Sequence, residues 1–149
     1  EDVQEVLRYV ESIPHQWLLY VNGSLPFLSL AKIQEFLELW DGKHSAFAIR
    51  KVRDYFLTEM KQPVNFRFEE TRTINTKYVT PLYAFAHGLY LFNRNYFLEF
   101  GTLWNWLEVQ YIPIQGEIAL WDIDTLEQFE IAEILNWVLR NPMLSARGC

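Results

Sequence analysis

Aromatic residues are spread through almost the whole of this chain, and they limit what it can fold into. The sequence contains 6 Trp, 8 Tyr and 11 Phe among 149 residues. A buried ring removes roughly 150–250 Å² from water, so rings at this density require a sizeable core. The richest apolar run, LYAFAHGLYLF at 82–92, is shorter than the ~20 residues of a membrane-spanning helix. We therefore expect a folded domain with no membrane span.

Helix and turn signals dominate the first 44 residues. Asp2 and Glu5 have the spacing of a capping box, which predicts a first helix ending near Pro14. The apolar run QWLLYV at 16–21 ends in an Asn-Gly turn signal and indicates a short strand. Ser29 can cap a second helix, since apolar residues then recur at amphipathic spacing up to Trp40.

The next segment predicts a third helix and a β-hairpin. Ser45 can cap a helix that extends to residue 61, with a buried stripe at helical spacing. The segment PVNFRFEE at 63–70 alternates apolar and polar residues, as a half-buried strand does. TKYVT at 76–80 is then the returning strand. The expected stripe of the third helix consists of Ile49, Val52, Phe56 and Met60.

Helical signals return beyond residue 80. Thr80 followed by proline is typical of a helix start, and apolar residues recur at helical spacing over the next ten positions. Segments 96–100 and 103–114 are so aromatic that they suit a strand or a buried helix equally. Asp124 and Glu127 then form a capping-box-like start for a final helix.

The resulting order, helix-strand-helix-helix-β-hairpin, resembles that of a winged helix-turn-helix domain. This resemblance is one of topology over residues 1–80 and rests on no sequence motif. We thus predict an α+β fold that is predominantly helical, with a winged-helix-like N-terminal half followed by a helical C-terminal part. A single compact domain over 1–149 is expected, and the alternative divides it into 1–80 and an aromatic-rich helical extension over 81–142.

No pattern of catalytic, metal-binding or cofactor-binding residues stands out. The three histidines, at 15, 44 and 87, have no second ligand at a metal-binding spacing, and there is no Gly-rich phosphate loop. The acidic run WDIDTLEQFE at 121–130 is explained as the start of a helix. Cys149 is the only cysteine, which favours a reducing, intracellular location. We therefore predict no metal and no cofactor, and enzymatic activity is not favoured.

Positive charge is concentrated in the middle of an acidic chain. Residues 45–80 hold seven basic and four acidic residues, a net charge of +3, whereas the whole chain carries −6. On the predicted third helix, at 100° per residue, Arg53 falls beside the buried stripe and Arg50 on its flank. Lys51 points outward together with Phe47 and Asp54. Because these charges are dispersed and an acidic residue accompanies them, this face is better suited to solvent or to a protein partner than to nucleic acid.

The favoured function is therefore a non-catalytic protein–protein interaction module, an adaptor or assembly subunit that self-associates. The predicted partner-binding residues are Phe47, Arg50, Lys51 and Asp54. The alternative is a winged-helix-like nucleic-acid-binding domain that uses the basic segment 45–80. Its phosphate-binding residues would be Arg50, Lys51, Arg53, Arg72 and Lys77.

Overall fold

A mixed β-sheet organises the part of the chain that the structure, a computed structural model, describes: residues 3–68, 75–116 and 118–141. Its strands lie in the order β1-β3-β2-β4. Strand β3 is antiparallel to both β1 and β2, and β2 is parallel to β4. Strands β1, β2 and β4 therefore run in one direction. The strands are β1 (Trp17–Val21), β2 (Ala46–Val52), β3 (Leu82–Asn93) and β4 (Gln110–Pro113).

Four α-helices flank this sheet in the described residues. They are α1 (Val3–Ser12), α2 (Leu30–Leu39), α3 (Arg94–Phe100) and α4 (Leu126–Arg140), and a short 3-10 helix covers Thr76–Tyr78. None of these helices is long and apolar enough to cross a membrane.

The predictions for both ends of the chain are confirmed. Helices α1 and α2 and strand β1 lie where the sequence signals place them, and Ser29 Oγ accepts a hydrogen bond from Lys32 N at 3.4 Å. A final helix also forms, but Thr125 and Gln128 make its capping box, one residue beyond the predicted pair. The predicted cap residue Asp2 lies outside the described residues.

The predicted third helix is wrong, because residues 46–52 form strand β2. This strand hydrogen-bonds to β3 on one side and β4 on the other, so it is central in the sheet. Ala46 and Ala48 are buried on one face, and Phe47 and Ile49 on the opposite face. A strand covered on both faces has a continuous apolar run, which periodicity cannot distinguish from a short buried helix.

The predicted hairpin and the predicted helix at 81–92 are also wrong. Residues 82–93 form the long strand β3, and the described parts of 63–80 contain no strand beyond the isolated bridge between Leu57 and Pro63. Helix accounts for 34% of the residues and strand for 23%, so the fold is α+β but not predominantly helical. With a strand in place of the third helix and no hairpin in the described residues, the winged-helix order is not present.

The two faces of the sheet carry different kinds of buried side chain. One face, formed by small and aliphatic residues of β2, β3 and β4, packs on Phe36 of α2, which is fully buried. The other face is aromatic and centres on Phe47, Tyr90 and Trp104.

In the segment between β2 and β3, the Asn65 side chain links three parts of the backbone. Its Nδ2 donates hydrogen bonds to Asp54 O at 2.8 Å and to Thr80 O at 2.7 Å. Its Oδ1 accepts from Phe56 N at 3.0 Å. We call the described residues 53–68 and 75–81 the β2–β3 connection.

Candidate functional site

The predicted partner-binding residues do not share a helix face, because they lie on and after β2. Phe47 is only 2% exposed and belongs to the core. Arg50 and Lys51 are exposed at the end of β2, where their side chains point to opposite faces of the sheet. Asp54 is exposed, and its Oδ1 accepts a hydrogen bond from Tyr55 N at 2.8 Å.

Two of the residues predicted for phosphate binding come together. Arg53 Nη1 donates to the main-chain oxygen of Lys77 at 3.2 Å, so the end of β2 contacts the 3-10 helix. Arg72 lies outside the described residues. The described basic residues of this set thus belong to the β2–β3 connection and its junction with the sheet.

The strongest candidate site lies at the carboxyl end of β1, beside an irregularity in β3. Ala48 is the single residue of β2 opposite residues 86–89, because the register shifts between Phe47↔Tyr90 and Ile49↔Phe85. Bulges of this kind occur often next to functional sites, where they redirect side chains. Here the main-chain oxygen of Gly88 accepts a hydrogen bond from Asn22 N at 2.7 Å. The bulge therefore anchors the turn that follows β1.

Two polar side chains in this region have buried atoms that find no hydrogen-bond partner in the described part of the chain. These atoms are Ser24 Oγ and Asp122 Oδ1. The two residues are neighbours, because Ile123 N donates to Ser24 O at 3.0 Å. A buried polar atom without a partner costs about 1–3 kcal/mol, and more when it is charged. Such a cost is offset when a ligand supplies the missing hydrogen bonds.

Aromatic and imidazole groups border the same region. Tyr20 and Tyr90 stack with ring centroids 5.5 Å apart and planes 10° from parallel. The Tyr90 hydroxyl lies 3.3 Å from Nδ1 of His87, which is exposed on the bulge. Burial raises the pKa of Tyr90 above its ordinary value of 10.0, and the nearby Tyr20 and Asp122 raise it further. Tyr90 is therefore a neutral hydrogen-bonding group at neutral pH.

The chemistry of these groups suits a ligand that carries hydroxyl groups. The Asp122 carboxylate can accept hydrogen bonds, whereas the Ser24 and Tyr90 hydroxyls can donate or accept them. The Tyr20 ring adds a flat apolar surface. In open sheets, ligands commonly bind outside the carboxyl ends of parallel strands, which is where Ser24 lies relative to β1.

A cleft of about 260 Å³ opens at the other end of the sheet. Its walls include Trp17, Glu99 and Glu108, and on one side the turn that precedes β2. In that turn His44 Nδ1 lies 2.6 Å from Asp41 Oδ2. Among the described residues, no group of three His, Cys, Asp or Glu side chains is placed to hold a metal ion.

Replacing His44 with alanine is expected to raise the pKa of Asp41. The hydrogen bond from His44 lowers this pKa from 3.8 to about 2, with help from the main-chain N–H groups of His44 and Lys43. Without the imidazole, the pKa should rise toward 3.8 but remain below it, because the N–H donors stay. Since the pKa is depressed in the folded state, the pair stabilises the fold above about pH 4 and ceases to do so as pH falls through about 2.

An NMR titration of carboxyl ¹³C shifts measures this change. Glu35 serves as the control, because its pKa is lowered by Lys32 and should not respond to the substitution. An Asp41 pKa that stays at about 2 in the variant would show that the imidazole is not the main cause.

Sequence reasoning missed the Ser24–Asp122 site. The Asn-Gly turn after β1 was a visible signal, and so was the acidic run at 121–130, but each had an adequate local explanation. What links them is the hydrogen bond between residues 24 and 123, which are far apart in the chain.

Comparison with known proteins gives a likeness of fold. No protein-family model matches the sequence, and no curated protein matches it either. Among solved structures, a similar one is the crystal structure of 4-diphosphocytidyl-2C-methyl-D-erythritol synthase from Anaerococcus prevotii DSM 20548. The TM-score is 0.59 at 12% identity, and the match covers 92% of this chain and 67% of that one. At this identity the two proteins share a fold, and the comparison places the chain in no family.

Proposed function

We propose that this chain binds a nucleotide-linked, polyhydroxylated ligand at the Ser24–Asp122 site, as part of a nucleotidyltransferase-like enzyme. One observation carries the proposal: Ser24 Oγ and Asp122 Oδ1 are buried near the carboxyl end of β1 and have no hydrogen-bond partner among the described residues. The solved protein of similar fold is named for a product in which a diphosphocytidyl group is joined to a methylerythritol. Such a product carries the hydroxyl groups that a carboxylate and a serine would bind.

Each residue of the site would contact a different part of the ligand. Asp122 would accept hydrogen bonds from ligand hydroxyls, and Ser24 would bind a neighbouring oxygen. The Tyr20 ring, which is 42% exposed and stacks on Tyr90, would contact an apolar ring face, since aromatic stacking on a base contributes about 1–3 kcal/mol. Gly88 would keep the turn after β1 close to β3.

Ser24→Ala and Asp122→Asn are expected to weaken binding of cytidine 5′-diphosphate about tenfold or more. A hydrogen bond to a charged group is worth about 1.5–3 kcal/mol, and each 1.4 kcal/mol is a factor of ten in Kd. Titration followed by ¹⁵N–¹H shifts would give Kd and show whether residues 22–24, 87–90 and 121–124 respond. Ser24→Ala should leave the stability of the free protein unchanged or raise it by about 1 kcal/mol, because it removes an unpartnered hydroxyl.

Glu108→Gln is the matched control, since this exposed carboxylate lines the cleft at the other end of the sheet. It should leave binding of cytidine 5′-diphosphate unchanged. Binding that is absent in the wild-type protein, or unaffected by both site variants, would argue against the proposal.

A second candidate function, the predicted interaction module, is favoured by exposed apolar surface. Helix α4 buries only Ala132, while Ile134 is 63% and Trp137 57% exposed. Strand β1 lies at the edge of the sheet, so its outer main-chain groups have no strand partner within the described residues. Exposed apolar helices and open strand edges are common sites of protein association.

A further inference from the structure

The β2–β3 connection presents a surface that is both cationic and apolar. Lys51 and Lys77 are exposed at its junction with the sheet. Met60 and Tyr78 are among its most exposed side chains, at 82% and 83%. The hydrogen bonds of Asn65 and the contact between Arg53 and Lys77 hold these parts together as one unit. The connection therefore presents exposed basic side chains and exposed apolar side chains on segments that are joined by hydrogen bonds.

Helix α4 presents the opposite combination of acidic and apolar side chains. At 100° per residue, Leu126, Glu130, Ile134 and Trp137 fall within about 80° of one another. Glu133 lies about 20° beyond one edge of this arc and Glu127 about 20° beyond the other. This side of α4 thus consists of exposed apolar residues with carboxylates among them.

The two surfaces do not neutralise each other within one chain. Glu127, Glu130 and Glu133 form no ion pair in the part of the chain that the structure describes, and neither do Lys51 and Lys77. Apolar contact surrounded by pairs of opposite charge is the usual composition of a specific protein interface. Each surface therefore has the chemistry that the other would bind.

We propose that α4 of one copy docks on the β2–β3 connection of a second copy. This inference rests on the interaction function, the second candidate above, and names its partner and surface. A twofold axis would form the same contact twice and close the assembly as a dimer. Ile134 and Trp137 would lie against Met60 and Tyr78, and the carboxylates of α4 would face Lys51 and Lys77.

Charge-reversal variants in analytical ultracentrifugation test this contact directly. Glu130→Lys/Glu133→Lys and Lys51→Glu/Lys77→Glu should each raise the Kd of the dimer about tenfold or more, because like charges would then face each other. An equimolar mixture of the two double variants should form a heterodimer, since both of its contacts join opposite charges: one in the reversed sense and one as in the wild type. Glu5→Lys/Glu11→Lys on α1 changes the net charge by the same amount and sign as Glu130→Lys/Glu133→Lys and should leave the Kd unchanged.

The possible outcomes distinguish the contact between α4 and the β2–β3 connection from self-association in general. Association that persists in both reversal variants, with no preference for the mixed pair, would overturn the contact while keeping the interaction function. A wild-type protein that stays monomeric up to millimolar concentration would overturn self-association itself. If that monomer bound a DNA duplex with a steep salt dependence, and Lys51→Glu/Lys77→Glu abolished the binding, the basic surface would instead serve nucleic acid.

Discussion

Replacing Phe47 with alanine is expected to lower the free energy of unfolding by about 3–5 kcal/mol. The ring is 2% exposed and packs at the centre of the aromatic face. Its centroid lies 4.1 Å from that of Phe85, 4.9 Å from Tyr111 and 5.1 Å from Trp104. Alanine would remove these contacts and leave a cavity between rings that cannot all move inward. Urea unfolding followed by tryptophan fluorescence measures the change.

Lys51→Ala is the matched control, because Lys51 lies on the same strand with its side chain exposed. Its effect should stay within about 0.5 kcal/mol, as for most surface substitutions. A loss below about 1 kcal/mol for Phe47→Ala would contradict the central position of β2. The helical interpretation of residues 45–61 leads to that small loss, since it places Phe47 on the solvent side.

Gly88→Ala is expected to destabilise the protein by roughly 2–6 kcal/mol and to disturb the Ser24–Asp122 site. Gly88 has φ +116°, a conformation that other residues rarely adopt, which costs about 1–3 kcal/mol. An added Cβ would also overlap Cβ of Asn22 and lie 3.1 Å from Leu25 Cδ1. Relieving such overpacking costs about 1–3 kcal/mol more. The turn after β1 would have to move away from β3.

Comparison with a second glycine variant separates the cost of the backbone conformation from the cost of the close approach to Asn22. Gly101→Ala is the control, since Gly101 also has positive φ, +67°, but an added Cβ there meets nothing within 4 Å. It should cost about 1 kcal/mol, from the backbone alone. The amide shifts of residues 22–25 should change in the Gly88 variant only. Equal losses in the two variants, with those shifts unchanged, would show that the close approach to Asn22 does not matter.

Local sequence signals predict parts of the Ser24–Asp122 site but not that these parts are adjacent. The turn after β1 follows from the Asn22-Gly23 pair, and Asp122 lies in an acidic run that is obvious in the sequence. Their adjacency depends on the main-chain hydrogen bond between residues 24 and 123, and on the bulge that brings Gly88 to Asn22. No spacing rule connects residues that are nearly one hundred positions apart.

The sequence by itself determined the elements whose signals are local. The cap at Ser29, the run at 16–21 and the final amphipathic pattern each place an element correctly, because capping and short-range periodicity act within a few residues. Tertiary structure decided the middle of the chain. Residues 46–52 and 82–93 are strands because they pair with each other and are buried on both faces. Their apolar residues satisfy a helical period as well, so only the long-range hydrogen bonds of the sheet select the strand.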